Sequence, residues 1–135
     1  MRVLLVEDDP VTATIVQALL RETGFTCDVA DLGEIGLTLA ESYRDYDVIV
    51  LDLVLPDVMG YDLIRSLRAT GFNTPVLIVS SLRDGSGMGL GLSANDFLSK
   101  PFEEADLIAR IKAVAAPPRA ADTSRSSGNS AVALG

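Results

Sequence analysis

Histidine is absent from the 135 residues. Its absence removes histidine acid/base catalysis, histidine metal ligation and any phosphohistidine carried by this chain. Cysteine occurs once, as Cys27, which excludes an intramolecular disulfide and a metal site built on thiolates. Its place in an apolar stretch gives it the part of a small buried residue. Positive charge is scarce: 11 Lys and Arg stand against 19 Asp and Glu, for a net charge of −8 and a pI near 4.3. With no local cluster of basic residues, such a surface repels a phosphate backbone, which argues against direct nonspecific binding of nucleic acid. No apolar run approaches the length of a membrane span. The amino terminus, Met1-Arg2-Val3-Leu4-Leu5-Val6, passes straight into acids and has neither the charged leader nor the long apolar stretch of a signal peptide. A cytoplasmic protein with no membrane partner is the expectation.

What is present belongs to one globular domain. Hydrophobic residues at 48% and charged residues at 22% are ordinary for that class, and 135 residues suffice for one full core but not for two. Apolar runs at 2–6, 48–51 and 76–79, with weaker ones at 27–30 and 96–98, read as strands. Between them apolar residues recur at spacings of three and four. Pro10 and Thr12 open a first helix with Ile15, Val16, Leu19 and Leu20 on one side, ended by Gly24. Leu32 to Tyr43 reads as a second, carrying Ile35, Leu37, Leu39 and Ala40. Tyr61 to Thr70 reads as a third, with Leu63, Ile64 and Leu67 ended by Gly71, and Glu103 to Ala115 as the last, with Leu107, Ile108, Ile111 and Val114 toward the sheet. Alternating strands and helices imply right-handed crossovers and a parallel sheet covered on both faces.

The alternation calls for a further helix between the last two strands, where the chain reads Asp84-Gly85-Ser86-Gly87-Met88-Gly89-Leu90-Gly91-Leu92. Each glycine in a helix interior costs roughly 0.8–1 kcal/mol relative to alanine, so this helix is expected to be weak. A phosphate cradle would need G-x-x-x-x-G-K-[ST], which is not there. From residue 117 to 135 the composition turns to Pro, Ala, Ser, Thr and Gly with few large apolar residues, and a disordered tail is expected.

Four strand ends carry polar groups. The run Asp47-Val48-Ile49-Val50-Leu51-Asp52 delivers a carboxylate to the rim of the sheet, where ligands of open α/β sheets bind. Taken alone, Asp52 could simply begin the turn before Pro56. The first strand, however, ends in Glu7, Asp8 and Asp9, the fourth in Ser80, and the fifth in Lys100 before Pro101. In a parallel sheet these ends share one edge, so acids, a hydroxyl and an ammonium converge. Clustered carboxylates with only oxygen donors suit Mg²⁺, and Lys100 with Ser80 suits phosphate. Phosphoryl transfer to Asp52 fits that set. Read singly, Ser80 is an ordinary helix cap, Lys100 a solvated charge and Asp9 a helix N-terminal acid.

Val6-Glu7-Asp8-Asp9, the block Leu51-Asp52-Leu53-Val54-Leu55-Pro56-Asp57-Val58-Met59-Gly60, the strand ending in Ser80, and Asp96-Phe97-Leu98-Ser99-Lys100-Pro101-Phe102 resemble, in that order, the receiver domain of two-component response regulators. The likeness covers residues 1–116 and is greatest to receivers of winged-helix transcription factors of the CtrA cell-cycle type; their DNA-binding domain has no counterpart in this sequence. The resemblance implies a single doubly wound, flavodoxin-like sheet of five parallel strands in the order 2-1-3-4-5. It makes Asp52 the phosphoacceptor and Asp8 the direct Mg²⁺ ligand. Glu7 would hold a metal-bound water, the backbone carbonyl of Val54 would complete the protein ligands, and Asp9 is a further candidate. Lys100 would pair with the phosphoryl group, aimed by a cis bond to Pro101, while Ser80 and Phe97 would respond to phosphorylation. Phe97 is equally an ordinary core residue by its type. The implied partners are a histidine kinase or histidine phosphotransferase upstream and a protein target downstream. Such a receiver is no enzyme beyond its own Mg²⁺-dependent phosphorylation and dephosphorylation.

The sequence departs from the family in two places. Val54 and Leu82, two residues beyond Asp52 and Ser80, are apolar where many receivers hold a hydrolytic water, so a long-lived aspartyl phosphate is expected. Asp96, Asp106 and Arg110 match the charged dimer face of the winged-helix class, but residues 85–91 contribute none of its charges, and a monomer or weak dimer is expected. Two rivals remain: a phosphohydrolase, which would want an acid where Val54 stands, and a phosphorylation-independent scaffold with a receiver fold.

Overall fold

The computed structural model describes residues 1–81 and 94–115. The glycine-rich 84–92 segment, Leu82 and the tail from 117 lie outside the described residues, and with them the expectations placed there. The described elements are β1 (Arg2–Val6), α1 (Pro10–Glu22), β2 (Thr26–Ala30), α2 (Gly33–Ser42), β3 (Val48–Leu51), α3 (Gly60–Ala69), β4 (Val76–Ser80), β5 (Asp96–Ser99) and α4 (Glu104–Val114). All five strands are parallel, in the order β2-β1-β3-β4-β5. This is the expected order, and the element bounds differ from the sequence reading by about one residue at most ends.

The strands are apolar throughout because the sheet is covered on both sides. Val3, Leu5, Val48, Val50, Leu77 and Val79 point to one face, where Ala13, Val16 and Leu20 of α1 and Leu107 and Ile111 of α4 meet them. Leu4, Val6, Ile49, Leu51, Val76 and Ile78 point to the other, against Ala40 of α2 and Leu63, Ile64 and Leu67 of α3. Period-two alternation along each strand thus feeds two cores. Each fully buried Leu, Ile or Val contributes about 1.5–3 kcal/mol of transfer free energy. Cys27 is buried, and burial pushes its thiol up to about 11, as suits an inert core residue.

Two helix faces differ from expectation. Ile15 is 52% and Ile35 42% exposed, although both lie on the apolar stripe read from the sequence. In α2 the buried residues are Gly33, Gly36 and Ala40, of which Gly33 faces Leu55, Asp57 and Val58 and Gly36 faces β1. A Cβ on Gly36 would stand 2.8 Å from Val6 Cγ2. The helix lies so close to β1 that only small residues fit beneath it, and Ile35 is displaced to the flank. Helices α1 and α3 end before Gly24 and Gly71, whose φ values of 95° and 88° are costly for any residue with a Cβ.

At the amino edge of the sheet, Arg2 gathers the start of three strands. Its backbone N–H donates to Asp47 at 2.7 Å, Nη1 to Asp45 at 2.7 and 2.8 Å, and Nη2 to Asp28 at 3.0 Å. The Tyr46 hydroxyl donates to the same Asp28 oxygen at 2.6 Å, and the guanidinium lies 5.2 Å from the Tyr43 ring centre and 4.8 Å from that of Tyr46. The Tyr46 hydrogen bond and then the Arg2 pair hold the Asp28 carboxyl below its usual range.

Candidate functional site

The opposite edge is built by backbone hydrogen bonds that carry the parallel ladder one residue past each strand. Glu7 N–H donates to Ala30 O at 3.0 Å, Asp52 N–H to Val6 O at 3.0 Å, and Lys100 N–H to Ser80 O at 2.9 Å. Three side chains of different strands are therefore fixed in register at one rim.

Glu7 is only 3% exposed, Asp52 is half-buried and Asp8 is exposed. Each offers a carboxylate oxygen, and the three oxygens lie within 4.8 Å of one another. Lys100 bridges two of them, its Nζ donating to Glu7 Oε1 at 2.7 Å and to Asp52 Oδ2 at 3.2 Å. Asp52 Oδ1 accepts from Val54 N–H at 3.2 Å, and Glu7 Oε2 from Asp9 N–H at 3.2 Å. The Lys100–Pro101 peptide is cis.

The charges do not balance. Burial raises the pKa of Glu7, with the Asp52 charge adding to it, against the opposing hydrogen bonds from Lys100 and Asp9 N–H. Burial pulls the Lys100 ammonium down, but its bond to Glu7 and the charge of Asp52 outweigh this and leave it raised. Both directions follow from one arrangement: a buried Glu7 and a half-buried ammonium share a rim with the Asp52 charge. A divalent cation with a preference for oxygen donors fits that donor set.

The other predicted residues divide. Asp9 lies outside the carboxylate cluster: its Oδ2 accepts from Thr12 N–H at 3.1 Å and from the Thr12 hydroxyl, capping α1. Ser80 is fully buried at the end of β4. Phe97 is buried in the core with Leu51, Ile78 and Ala94. Val54 is exposed and forms an isolated antiparallel bridge with Met59. Asp96 and Arg110 pair at 3.2 Å within the chain, and Arg110 also donates to Phe97 O at 2.7 Å, while Asp106 lies beside Arg110 on the same hollow.

Asp57 has a structural place that the sequence reading does not give it. Its two oxygens accept from Gly33 N–H at 2.8 Å and Glu34 N–H at 2.9 Å, the first amides of α2, whose own preceding residue, Leu32, provides no side-chain cap. The signal was Leu32 itself: an apolar residue at a helix start leaves its amides to be satisfied from elsewhere.

Comparison with known proteins bears on what this rim belongs to. The family profile of the response regulator receiver domain matches residues 3–112. The chain belongs to that family. The receiver is 45% identical over 116 residues to the cell cycle response regulator CtrA of Brucella ovis, and equally to that of Brucella abortus, covering 84% of this chain and 50% of those proteins. It thus spans about half the length of these curated relatives. Among solved structures, the receiver domain of Francisella response regulator 1452 superposes with a TM-score of 0.78 at 35% identity, covering 84% of this chain and 94% of that one. The receiver domain of the Pseudomonas aeruginosa sensor histidine kinase PA1611, solved with magnesium in its active site cleft, gives 0.77 at 32% identity, with 84% and 95% covered. Among the described residues, no helix of this receiver is long and apolar enough to cross a membrane.

Proposed function

We propose that this receiver, residues 1–116, takes a phosphoryl group onto Asp52 from the phosphohistidine of a partner kinase or phosphotransferase, and that it signals to a protein target. The observation that carries the reading is the convergence of Asp52, Glu7, Asp8 and Lys100 on one rim, with Asp52 Oδ2 3.2 Å from the ammonium that also holds Glu7. The setting is the cytoplasm, in which histidine kinases deliver phosphoryl groups to their receivers.

Glu7, Asp8, Asp52 and the Val54 carbonyl would hold Mg²⁺, with Asp9 left to cap α1. Bound there, the ion supplies positive charge against the oxygens of the incoming phosphoryl group. The rest is the work of this chain. An Asp52 oxygen attacks phosphorus as the bond from phosphorus to the donor's histidine nitrogen breaks, and the imidazole leaves with that electron pair. Lys100, kept protonated by its acidic neighbours, turns its ammonium from the Asp52 carboxylate to the phosphoryl oxygens. Ser80, buried one strand away, offers the phosphoryl group a hydroxyl, and Phe97 follows it in the core. Two conformations that bind phosphate unequally then change population. The protein catalyses no turnover beyond its own phosphorylation and dephosphorylation.

Intact mass after incubation with acetyl phosphate and Mg²⁺ tests this. The wild type gains one phosphoryl group, and Asp52→Ala gains none. No added mass on the wild type would leave a phosphorylation-independent interaction module instead. Because Val54 is apolar and 50% exposed beside Asp52, it cannot hold a hydrolytic water, and we expect the phosphorylated protein to persist. Decay of the phosphoryl mass within seconds would refute that. In the unmodified state Asp96 and Arg110 of the charged face, which also holds Asp106, are spent on an internal pair, so sedimentation should show a monomer or weak dimer.

A further inference from the structure

The segment Leu53–Met59, which leads from Asp52 to α3, is closed upon itself. Gly60 N–H donates to Leu53 O at 2.7 Å, Val54 bridges to Met59, and Leu55 is buried beneath. The closure is tight: a Cβ on Gly60 would stand 2.7 Å from Asp52 O and 2.8 Å from Leu53 Cα. These contacts fix the two feet of the loop near β3 and leave its far side, Pro56–Val58, to be held by something else. That holder is α2. Asp57 accepts from the amides of Gly33 and Glu34 with one oxygen each, and Val58 packs where only a glycine permits it, since a Cβ on Gly33 would meet Val58 Cγ2 at 2.2 Å. A carboxylate facing two amides at a helix start is favoured by hydrogen bonding and by the helix dipole. The bond crosses 24 positions of sequence, so it serves the loop as much as the helix.

We propose that Asp57 is a positioning residue: it clasps the phosphoacceptor loop to α2 and thereby sets the place of the Val54 backbone beside Asp52. For its metal consequence this rests on the function proposed above, in which the Val54 carbonyl is a ligand. The link is direct. Val54 N–H holds Asp52 Oδ1 at 3.2 Å, so a loop freed at Asp57 loosens both the carbonyl and the nucleophile. The clasp touches no substrate and acts only through the loop. Asp57 is exposed, so its two hydrogen bonds, not core packing, hold it against α2.

The test compares Asp57→Ala and Asp57→Asn with Ala40→Gly, which weakens α2 on its sheet-facing side and leaves the clasp intact. Two quantities are read on the whole chain: amide hydrogen exchange at Val54 and Gly60 without metal, and the Mg²⁺ dissociation constant by titration calorimetry. Asp57→Ala should speed exchange at both amides and weaken Mg²⁺ binding by about tenfold, the size typical when groups that orient metal ligands are lost. Asp57→Asn keeps one acceptor and should fall between. Ala40→Gly should change neither, even where its thermal midpoint falls as far as that of Asp57→Ala. Unchanged exchange in Asp57→Ala, or equal changes in Ala40→Gly, would overturn the proposal. A wild type that binds no Mg²⁺ would sink the functional reading, and exchange alone would then decide the clasp.

Discussion

At the amino edge of the sheet, Asp28, Asp45 and Asp47 each accept a hydrogen bond from Arg2; at the carboxyl edge, Glu7 and Asp52 share one ammonium and Asp8 stands beside them. Both edges are acidic, and among the described residues each hydrogen-bonds its acids to one cationic side chain. The difference is in where the donors come from. Arg2 is a planar fork that reaches Asp28 and Asp45 together, while its backbone N–H holds Asp47 and Tyr46 adds a donor to Asp28. Lys100 is a point charge with two carboxylates already in reach, and the exposed Asp8 completes a set that an external cation can close. One edge has spent its acids on the fold, and the other holds them ready.

Three measurements would break or sharpen that contrast. The largest effect should come from Mg²⁺ itself. At about 100 times its dissociation constant a ligand of the native state adds roughly 2.7 kcal/mol of stability, and thermal melts should show this in the wild type and lose it in Asp8→Asn. Asp45→Asn, at the amino edge, should keep the whole response. A response that survives Asp8→Asn would place the ion elsewhere.

Next comes a reversal of sign in the metal-free protein. Asp52→Asn relieves like-charge repulsion among oxygens within 4.8 Å of one another and should stabilise by about 1 kcal/mol, since Lys100 keeps Glu7. Tyr46→Phe, which strips a 2.6 Å hydrogen bond from Asp28, should destabilise by about 1 kcal/mol. Denaturant melts giving both substitutions the same sign would erase the distinction between the edges.

The smallest effect is in acid. Asp28 has a lowered pKa in the folded protein, chiefly from the Tyr46 hydrogen bond, then from Arg2. A depressed carboxylate adds stability that is complete above its unfolded value and is lost as pH falls through the folded one. Wild type and Asp28→Asn should therefore differ at neutral pH, by a margin reduced by solvent screening, and converge as pH drops below the ordinary aspartate range. Parallel curves would remove Asp28 from the acid response.

Much of this was legible in the chain because the informative residues announce themselves locally. A strand buried on both faces must be apolar at every position, so Val48–Leu51 and Val76–Val79 could be read without knowing their neighbours, and a polar residue ending such a run stands out. Helix faces were less legible. Ile15 and Ile35 sit at helical spacing from other apolar residues, yet the approach of α2 to β1 leaves room for Gly36 and Ala40 only, and that closeness is a property of two elements together. Asp57 was illegible for the same reason: its partners are two backbone amides on another helix, which carry no side-chain signature.

The ring of contacts around Arg2 also decides what light can report. The chain has no tryptophan and three tyrosines, of which Tyr43 and Tyr46 lie against the guanidinium at the amino edge. Ultraviolet emission from those two rings follows the melting of the Arg2 network and is distant from the acidic rim. Only Tyr61, the second residue of α3, stands near the loop that follows Asp52. The molecule thus has two of its three tyrosines reporting on the amino edge, where their signal follows the fold and not the rim.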